Sequence, residues 1–178
     1  MSVPSRAQCY ELLKAHKVPS HIIRHSEIVA KVATLIAAHL RKAGVNVNPG
    51  LAEAGALLHD LDKVESLKNG GHGEQSSAAL TSLGYPEVAR IAFSHVLEAV
   101  LESGKKPVTW EEKIVYYADK RVQHDQIVSL QERIADLQER YGSKSPAAAK
   151  SIKQSAPLAQ AIERELMEKA GMRKEDIA

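Results

Sequence analysis

Cysteine is almost absent: Cys9 is the single one among 178 residues. That excludes a disulfide framework and any cysteine-built zinc motif. Aromatic residues are scarce as well, at 4%. With so few of them, and no long apolar/polar alternation bounded by hairpin turns, a strand-rich fold is not expected. The formal net charge is only +2 and no lysine/arginine block stands out. Nucleic acid is therefore disfavoured as a partner, and an anionic membrane would find little to hold. The longest apolar stretch, IVAKVATLIAAHL, is interrupted by Lys31 and is too short to span a bilayer. No glycine-rich phosphate loop of the Walker type occurs, and no nucleophile elbow. The opening MSVPSRAQCY lacks a signal peptide's basic-then-apolar layout. The expected setting is the reduced cytoplasm.

What is present is helical spacing, in almost every segment. Helices are expected over about 5–16, then from Ser20 to Ala43 with Gly44 as the stop, and from Pro49 through GALLHD. KNGGHG reads as a loop. EQSSAALTSL forms the next helix, ended by Gly84, and Pro86 opens one through EVARIAFSHVLEAVL. Thr109 and Glu112 form a capping box for a long helix reaching Tyr141, and a final helix follows Pro157. Hydrophobic residues at 44% suffice for a real core. The expected organisation is an all-α domain over residues 1–142 with a C-terminal helical extension over 143–178.

Several of these helices carry one hydrophilic group on the face that should point inward. His25 lies on the stripe Ile22, Val29, Val32 and Ile36. His59 and Asp60 end the apolar run GALL. His95 follows Val88, Ile91 and Ala92, and Asp119 shares a face with Val115 and Val122. Burying an unpaired carboxylate costs several kcal/mol or more, so such groups must pair or bind metal. A divalent cation would account for all of them together. Each also has a plainer explanation. His95 alone can be a satisfied core histidine, and Asp119 can pair with Lys63 or Arg121. His39 lies near the same stripe as His25, and periodicity does not separate the two.

The order His25 in IIRHSEIVAKVA, His59-Asp60 in AGALLHDLDK and Asp119 in EKIVYYADKRV resembles the HD-domain superfamily of metal-dependent phosphohydrolases. The resemblance covers about residues 20–125. It implies an all-α bundle of five or more helices around a metal held by His25, His59, Asp60 and Asp119. His72 in GGHGEQSSA and His95 in FSHVLEAV occupy places where a subset of the superfamily binds a second metal, with Asp60 bridging. In this the chain is similar to bacterial hydrolases of symmetrical diadenosine tetraphosphate. The literal Gly84-Tyr85-Pro86 precedes His95, and His95 has no histidine neighbour, so assignment to the cyclic-di-GMP phosphodiesterases of the HD-GYP branch is rejected. His124-Asp125, flanked by glutamines, reads as a solvated helix face, with a substrate contact as the alternative. Many relatives have glycine where this chain has Asp62. That carboxylate can orient a ligand imidazole or be a tolerated surface change.

The implied chemistry is hydrolysis of a phosphoester or phosphoanhydride bond by metal-activated water. The catalytic residues would be Asp60, Lys63 as a phosphate contact, and His72 as proton donor if one ion binds. Lys63 could instead pair with Asp62 or Glu65, and His72 could be a solvated loop residue. The cofactor is one or two divalent ions among Fe, Mn, Mg, Co, Ni and Zn, because nitrogen and oxygen donors do not choose among them. The substrate would be a small phosphorylated metabolite or nucleotide, with Phe93, Tyr85, Tyr116 and Tyr117 more plausible as core than as stacking surface. The rival readings are a mononuclear nucleoside monophosphate phosphatase, and a non-catalytic ligand-sensing or assembly module. For the latter, a heptad-like seam of Ile127, Leu130, Ile134, Leu137 and Tyr141 would permit a homodimer.

Overall fold

The frame is set by two helices rich in small residues. A computed structural model describes residues 3–177, apart from the side chains of residues 67–69. Helix α1 (Arg6–Ala15) starts at a capping box in which Ser5 and Gln8 satisfy each other's amides. Helix α2 (Ser20–Lys42) runs through the centre, and α3 (Pro49–Leu58) packs along it. Ala30, Ala33 and Ala37 on one and Ala52, Ala54 and Ala56 on the other are at most 2% exposed, so the two backbones approach closely. Asn48 caps α3 through its side chain, and Pro49 takes the first-turn position where no amide hydrogen is needed.

Helices α4 (Lys63–Asn69), α5 (Glu74–Ser82) and α6 (Pro86–Ser94) follow, and then a 3-10 turn over Leu97–Leu101. The expected loop KNGGHG is partly α4, and the loop proper begins at Gly70. The helix opened by Pro86 ends at Ser94 rather than running on to Leu101, which places His95 at its C-cap. Gly84 (φ +83°) closes α5 and Pro86 starts α6, as the local chemistry of GYP implies.

Helix α7 (Trp110–Asp119) begins at Thr109, whose hydroxyl accepts from the Glu112 amide at 3.2 Å. The second half of the expected box is absent: the Glu112 carboxylate accepts from the Val108 amide instead, at 2.9 Å. The larger correction is that this helix does not reach Tyr141. It stops at Asp119, and β1 (Val122–Gln123) and β2 (Gln126–Ile127) form an antiparallel hairpin around His124-Asp125. Arg121 explains the turn. Its guanidinium donates to the carbonyls of Val128, Lys174 and Ile177 and to the Tyr117 hydroxyl, drawing the returning chain and the C-terminal segment onto α7.

Helix α8 (Leu130–Leu137) restarts from a capping box of Ser129 and Glu132 and runs into a π-helical turn over Gln138–Gly142. The expected seam is therefore split. Ile127 lies on a strand, Leu130, Ile134 and Leu137 pack on the core, and Tyr141 is 48% exposed. The last helix, α9 (Pro146–Ala170), starts well before Pro157, which lies inside it. It buries Ile152, Ala159, Ile162 and Leu166 in the same core as the rest. Among the described residues no helix is long and apolar enough to cross a membrane.

Candidate metal centre

Two helix C-termini built alike supply the centre of the site. His59 follows α3 and His95 follows α6, each as the C-cap residue. In each case the ring folds back on its own helix: His59 Nδ1 donates to the Ala56 carbonyl at 2.7 Å, and His95 Nδ1 to the Ala92 carbonyl at 2.6 Å. These are last-turn carbonyls that the helix itself leaves unpaired. The helices meet where Gly55 faces Ile91; a Cβ on Gly55 would lie 2.7 Å from Ile91 Cδ1. That close approach brings the two imidazoles side by side. His25 comes from α2, and its Nδ1 donates to the His124 carbonyl in the hairpin turn at 2.8 Å.

A carbonyl only accepts, so Nδ1 carries the proton in all three rings and each neutral ring aims an Nε2 lone pair into the centre. What those lone pairs meet is negative. His25 Nε2 is 3.0 Å from Asp119 Oδ1, and His59 Nε2 is 3.5 Å from the same oxygen and 3.7 Å from Asp60 Oδ2. His95 Nε2 is 3.6 Å from Asp60 Oδ1 and 3.1 Å from His72 Nε2, which itself lies 3.0 Å from Asp60 Oδ1. The buried Nε2 of His59 has no hydrogen-bond partner. Lone pair facing carboxylate is repulsive unless a proton or a cation lies between. His59 is 0% exposed, His95 2%, Asp60 5% and His25 8%, so water does little to screen this.

The donor atoms fall into two groups, His25–His59–Asp60 and Asp60–His72–His95, each compact enough to hold a metal ion. Asp60 turns Oδ2 toward His59 and Oδ1 toward His72 and His95, one oxygen to each group. Neutral imidazole and carboxylate donors fit a divalent ion of borderline or hard character.

Protons reveal where the positive charge belongs. Burial works against charge on His59, yet the Asp60 and Asp119 carboxylates outweigh it and raise its pKa. Burial opposes charge on His72 too, but hydrogen bonds to Asp60 and Asp62 hold its pKa up, at about 9. His95 goes the other way: burial, and the charges of His72 and His59, outweigh the Asp60 hydrogen bond and lower it to about 4. In each metal-sized group one imidazole, His59 in the first and His72 in the second, is thus pushed toward its charged form. Despite burial, Asp60 is held well below the usual carboxylate range by His59, Lys63, His72 and His95, and Asp119 by Lys120, His25 and His59.

The structure brings together all six residues expected as ligands. Lys63 joins them, with Nζ 3.3 Å from Asp60 Oδ1 and 3.1 Å from His72 Nε2; it pairs with neither Asp62 nor Glu65. Asp119 pairs with neither Lys63 nor Arg121 but with Lys120, at 3.0 Å. Lys120 is a residue the sequence reading passed over. It is 2% exposed, donates to the His95 carbonyl, and has Nζ 4.3 Å from the centre of the Tyr116 ring. The His124 carbonyl is another, since a solvated helix face was expected there. Tyr116 and Tyr117 are core residues, as expected, with hydroxyls bound to the Leu97 carbonyl and Glu163. Surface cavities of about 380 and 330 Å³ are lined by none of the six, though the larger reaches Asp62 behind His72. The opening to the site is beside Lys63 and His72, whose side chains are 32% and 29% exposed.

An all-helical fold closing on a histidine–aspartate cluster of this kind defines a class of metal-binding domain. Residues 22–122 match the HD domain model, and the chain belongs to that family. It is 31% identical over 155 residues to a tRNA (cytidine(56)-2'-O)-methyltransferase of Picrophilus torridus, a match covering 80% of this chain and 42% of that protein. It is 29% identical over 144 residues to an uncharacterized protein of Methanocaldococcus jannaschii, covering 74% and 84%. The chain thus spans about two fifths of the first relative's length and most of the second's. No solved structure matches. These matches reach the HD family and do not single out its binuclear branch.

Proposed function

We propose that this protein is a divalent-metal-dependent phosphohydrolase with two ion sites, acting on a phosphoester or phosphoanhydride of a nucleotide. The observation that carries this reading is the set of Nε2 lone pairs on His25, His59 and His95, all directed at carboxylates that only a cation or a proton can reconcile with them. His25, His59, Asp60 and Asp119 would hold one ion; His72 and His95 would hold the other, with Asp60 shared. A bound divalent ion supplies Lewis acidity toward a phosphoryl oxygen and lowers the pKa of water.

The chain's own residues do the rest. Lys63 stands at the open side with its ammonium already among the acidic groups, placed to receive a phosphoryl oxygen and to stabilise charge as the bond breaks. Asp60 orients both halves of the centre. Burial of His59 and His95 excludes water from the inner wall, so each charge interaction there is stronger than at the surface. His72, at the mouth, would give a proton to the leaving group if only one ion is held.

A second reading concerns the substrate alone. Similarity to part of a protein named as a tRNA methyltransferase supports a phosphate on RNA as the alternative to a free nucleotide. One panel addresses both: nucleoside mono- and polyphosphates, a symmetrical dinucleoside tetraphosphate, and short RNAs with terminal phosphates, each tested with Mn²⁺, Co²⁺, Ni²⁺, Zn²⁺, Fe²⁺ and Mg²⁺. Hydrolysis of at least one member, lost in His59→Gln and Asp60→Asn, is expected. No hydrolysis of any member, read from the products themselves, or undiminished turnover in either variant, defeats the proposal.

A further inference from the structure

Three of the four imidazoles are held from behind by backbone carbonyls: His25 by His124, His59 by Ala56 and His95 by Ala92. His72 is held by a carboxylate. Its Nδ1 lies 3.2 Å from Asp62 Oδ1, with the Ser66 hydroxyl at 3.4 Å, and the other Asp62 oxygen accepts from the Gly73 amide at 3.0 Å. Asp62 is itself fixed, being 6% exposed with its amide donating to the Ser76 hydroxyl at 2.9 Å.

We infer that Asp62 is the positioning residue of the second ion site, resting on the two-ion reading above. The loop it controls could not place His72 unaided. Gly70, Gly71 and Gly73 all have positive φ, a conformation with little intrinsic preference for one geometry. His72 lies in the turn between α4 and α5, whereas the other three imidazoles are within a helix or at a helix C-cap. Asp62 grips that loop at two successive residues, the His72 ring and the Gly73 amide. Gly73 is at the same time pressed against α6, where a Cβ would come within 2.8 Å of the Ala92 carbonyl. The grip sets His72 Nε2 3.1 Å from His95 Nε2.

Asp62 also does what a carbonyl cannot. An acceptor with full negative charge behind an imidazole fixes the proton on Nδ1 and makes Nε2 a stronger donor to a cation. The two sites therefore differ by design of the chain: backbone-anchored ligands at the first, one carboxylate-anchored ligand at the second. Where Gly stands at this place, as the resemblance gives for many relatives, that anchor is missing. Asp62 touches no ion; it acts through His72.

The test is a titration of metal-free protein with Mn²⁺, followed by calorimetry and by metal analysis after dialysis, on the native chain and on Asp62→Gly and Asp62→Asn. The native chain is expected to take two equivalents. Asp62→Gly, which removes the carboxylate and its side chain, should keep the first equivalent unchanged and weaken the second about 10–100-fold. Asp62→Asn keeps an oxygen for His72 but not the charge, and should fall between. Helix content by circular dichroism should stay native in at least one variant. Equal loss of both ions in both variants, or loss of fold in both, makes Asp62 a general structural residue and overturns the inference. So does an unchanged second equivalent. A native chain that binds one ion and still hydrolyses its substrate overturns it too, while leaving the hydrolase reading standing.

Discussion

The Nδ1 of His25 donates to the backbone carbonyl of His124, 2.8 Å away and nearly the whole domain later in sequence. A residue on a central helix is thereby oriented by the tip of a hairpin. His124 has φ +57°, a left-handed conformation that costs an L-residue about 1–2 kcal/mol, and its side chain is exposed.

What His25 needs is the carbonyl, not the second imidazole. Glycine accepts the left-handed turn without strain and is the preferred first residue of such hairpins. His124→Gly should keep first-ion affinity within a factor of about three and raise stability by about 1 kcal/mol. His124→Val, β-branched at the same φ, should lower both. Metal titration and urea unfolding of the two variants check this. An equal loss of affinity in both would show that the His124 side chain matters.

The gap between α3 and α6 is the second point of control. A Cβ on Gly55 would meet Ile91 Cδ1 at 2.7 Å and Cγ2 at 2.8 Å, both in the buried core. Gly55→Ala must push the helices apart, and overpacking of this kind costs about 1–3 kcal/mol. It should also separate His59 from His95. Ile91→Val deletes Cδ1, so the double variant should recover part of the loss. A double-mutant cycle measured by denaturant unfolding is expected to show coupling; strict additivity would contradict the packing described.

Lys120 gives the largest expected effect. Its ammonium contacts Asp119 and the His95 carbonyl, nearly sealed from solvent. Removing one partner of a buried pair leaves the other charge uncompensated, at roughly 3–5 kcal/mol. Lys120→Met, similar in volume, should destabilise the chelator-treated protein by about that amount, read from urea unfolding. A change below about 1 kcal/mol would mean Asp119 has other compensation.

Much of this centre is legible in the sequence, and for a physical reason. Hydrophilic residues on apolar faces are costly, so His25, His59, His95 and Asp119 stand out against their stripes. Helical spacing and cap residues likewise place α2, α3, α5 and the start of α6. What spacing does not separate is one helix from two. The run from Thr109 to Tyr141 keeps a helical period, yet Arg121 binds the Val128 carbonyl and folds the chain into a hairpin. The signal for a restart was local: Ser129 followed by Glu132 is a capping box in the middle of that run. The His124 carbonyl has no sequence signal, because any residue supplies one. Lys120 had only its place in ADK, since a lysine on a helix is ordinarily solvated. The anchoring of His72 by Asp62 depends on two segments meeting through a glycine loop, which no periodicity describes.

Metal binding should displace a proton, and pH sets how much. In the metal-free protein the His72 pKa stands at about 9, so the ring is charged at pH 7.5 and must give up that proton to offer Nε2. His95, at about 4, has none to give there. The signs for stability are opposite. His72 is raised above the ordinary 6.5, so its contribution is full below that pH and is lost as pH rises through about 9. His95 is lowered from the same value, so its contribution holds above 6.5 and is lost as pH falls toward about 4. Between these limits Mn²⁺ affinity at the second site should rise with pH and level off above about 9. Titration calorimetry at pH 7.5 in two buffers of different ionisation heat should register close to one proton released on filling that site, and at pH 10 almost none. In Asp62→Gly the release at pH 7.5 should shrink, because one of the two carboxylates that hold the His72 proton is gone. Release that stays constant from pH 7 to 10 would show that His72 is not the group being displaced.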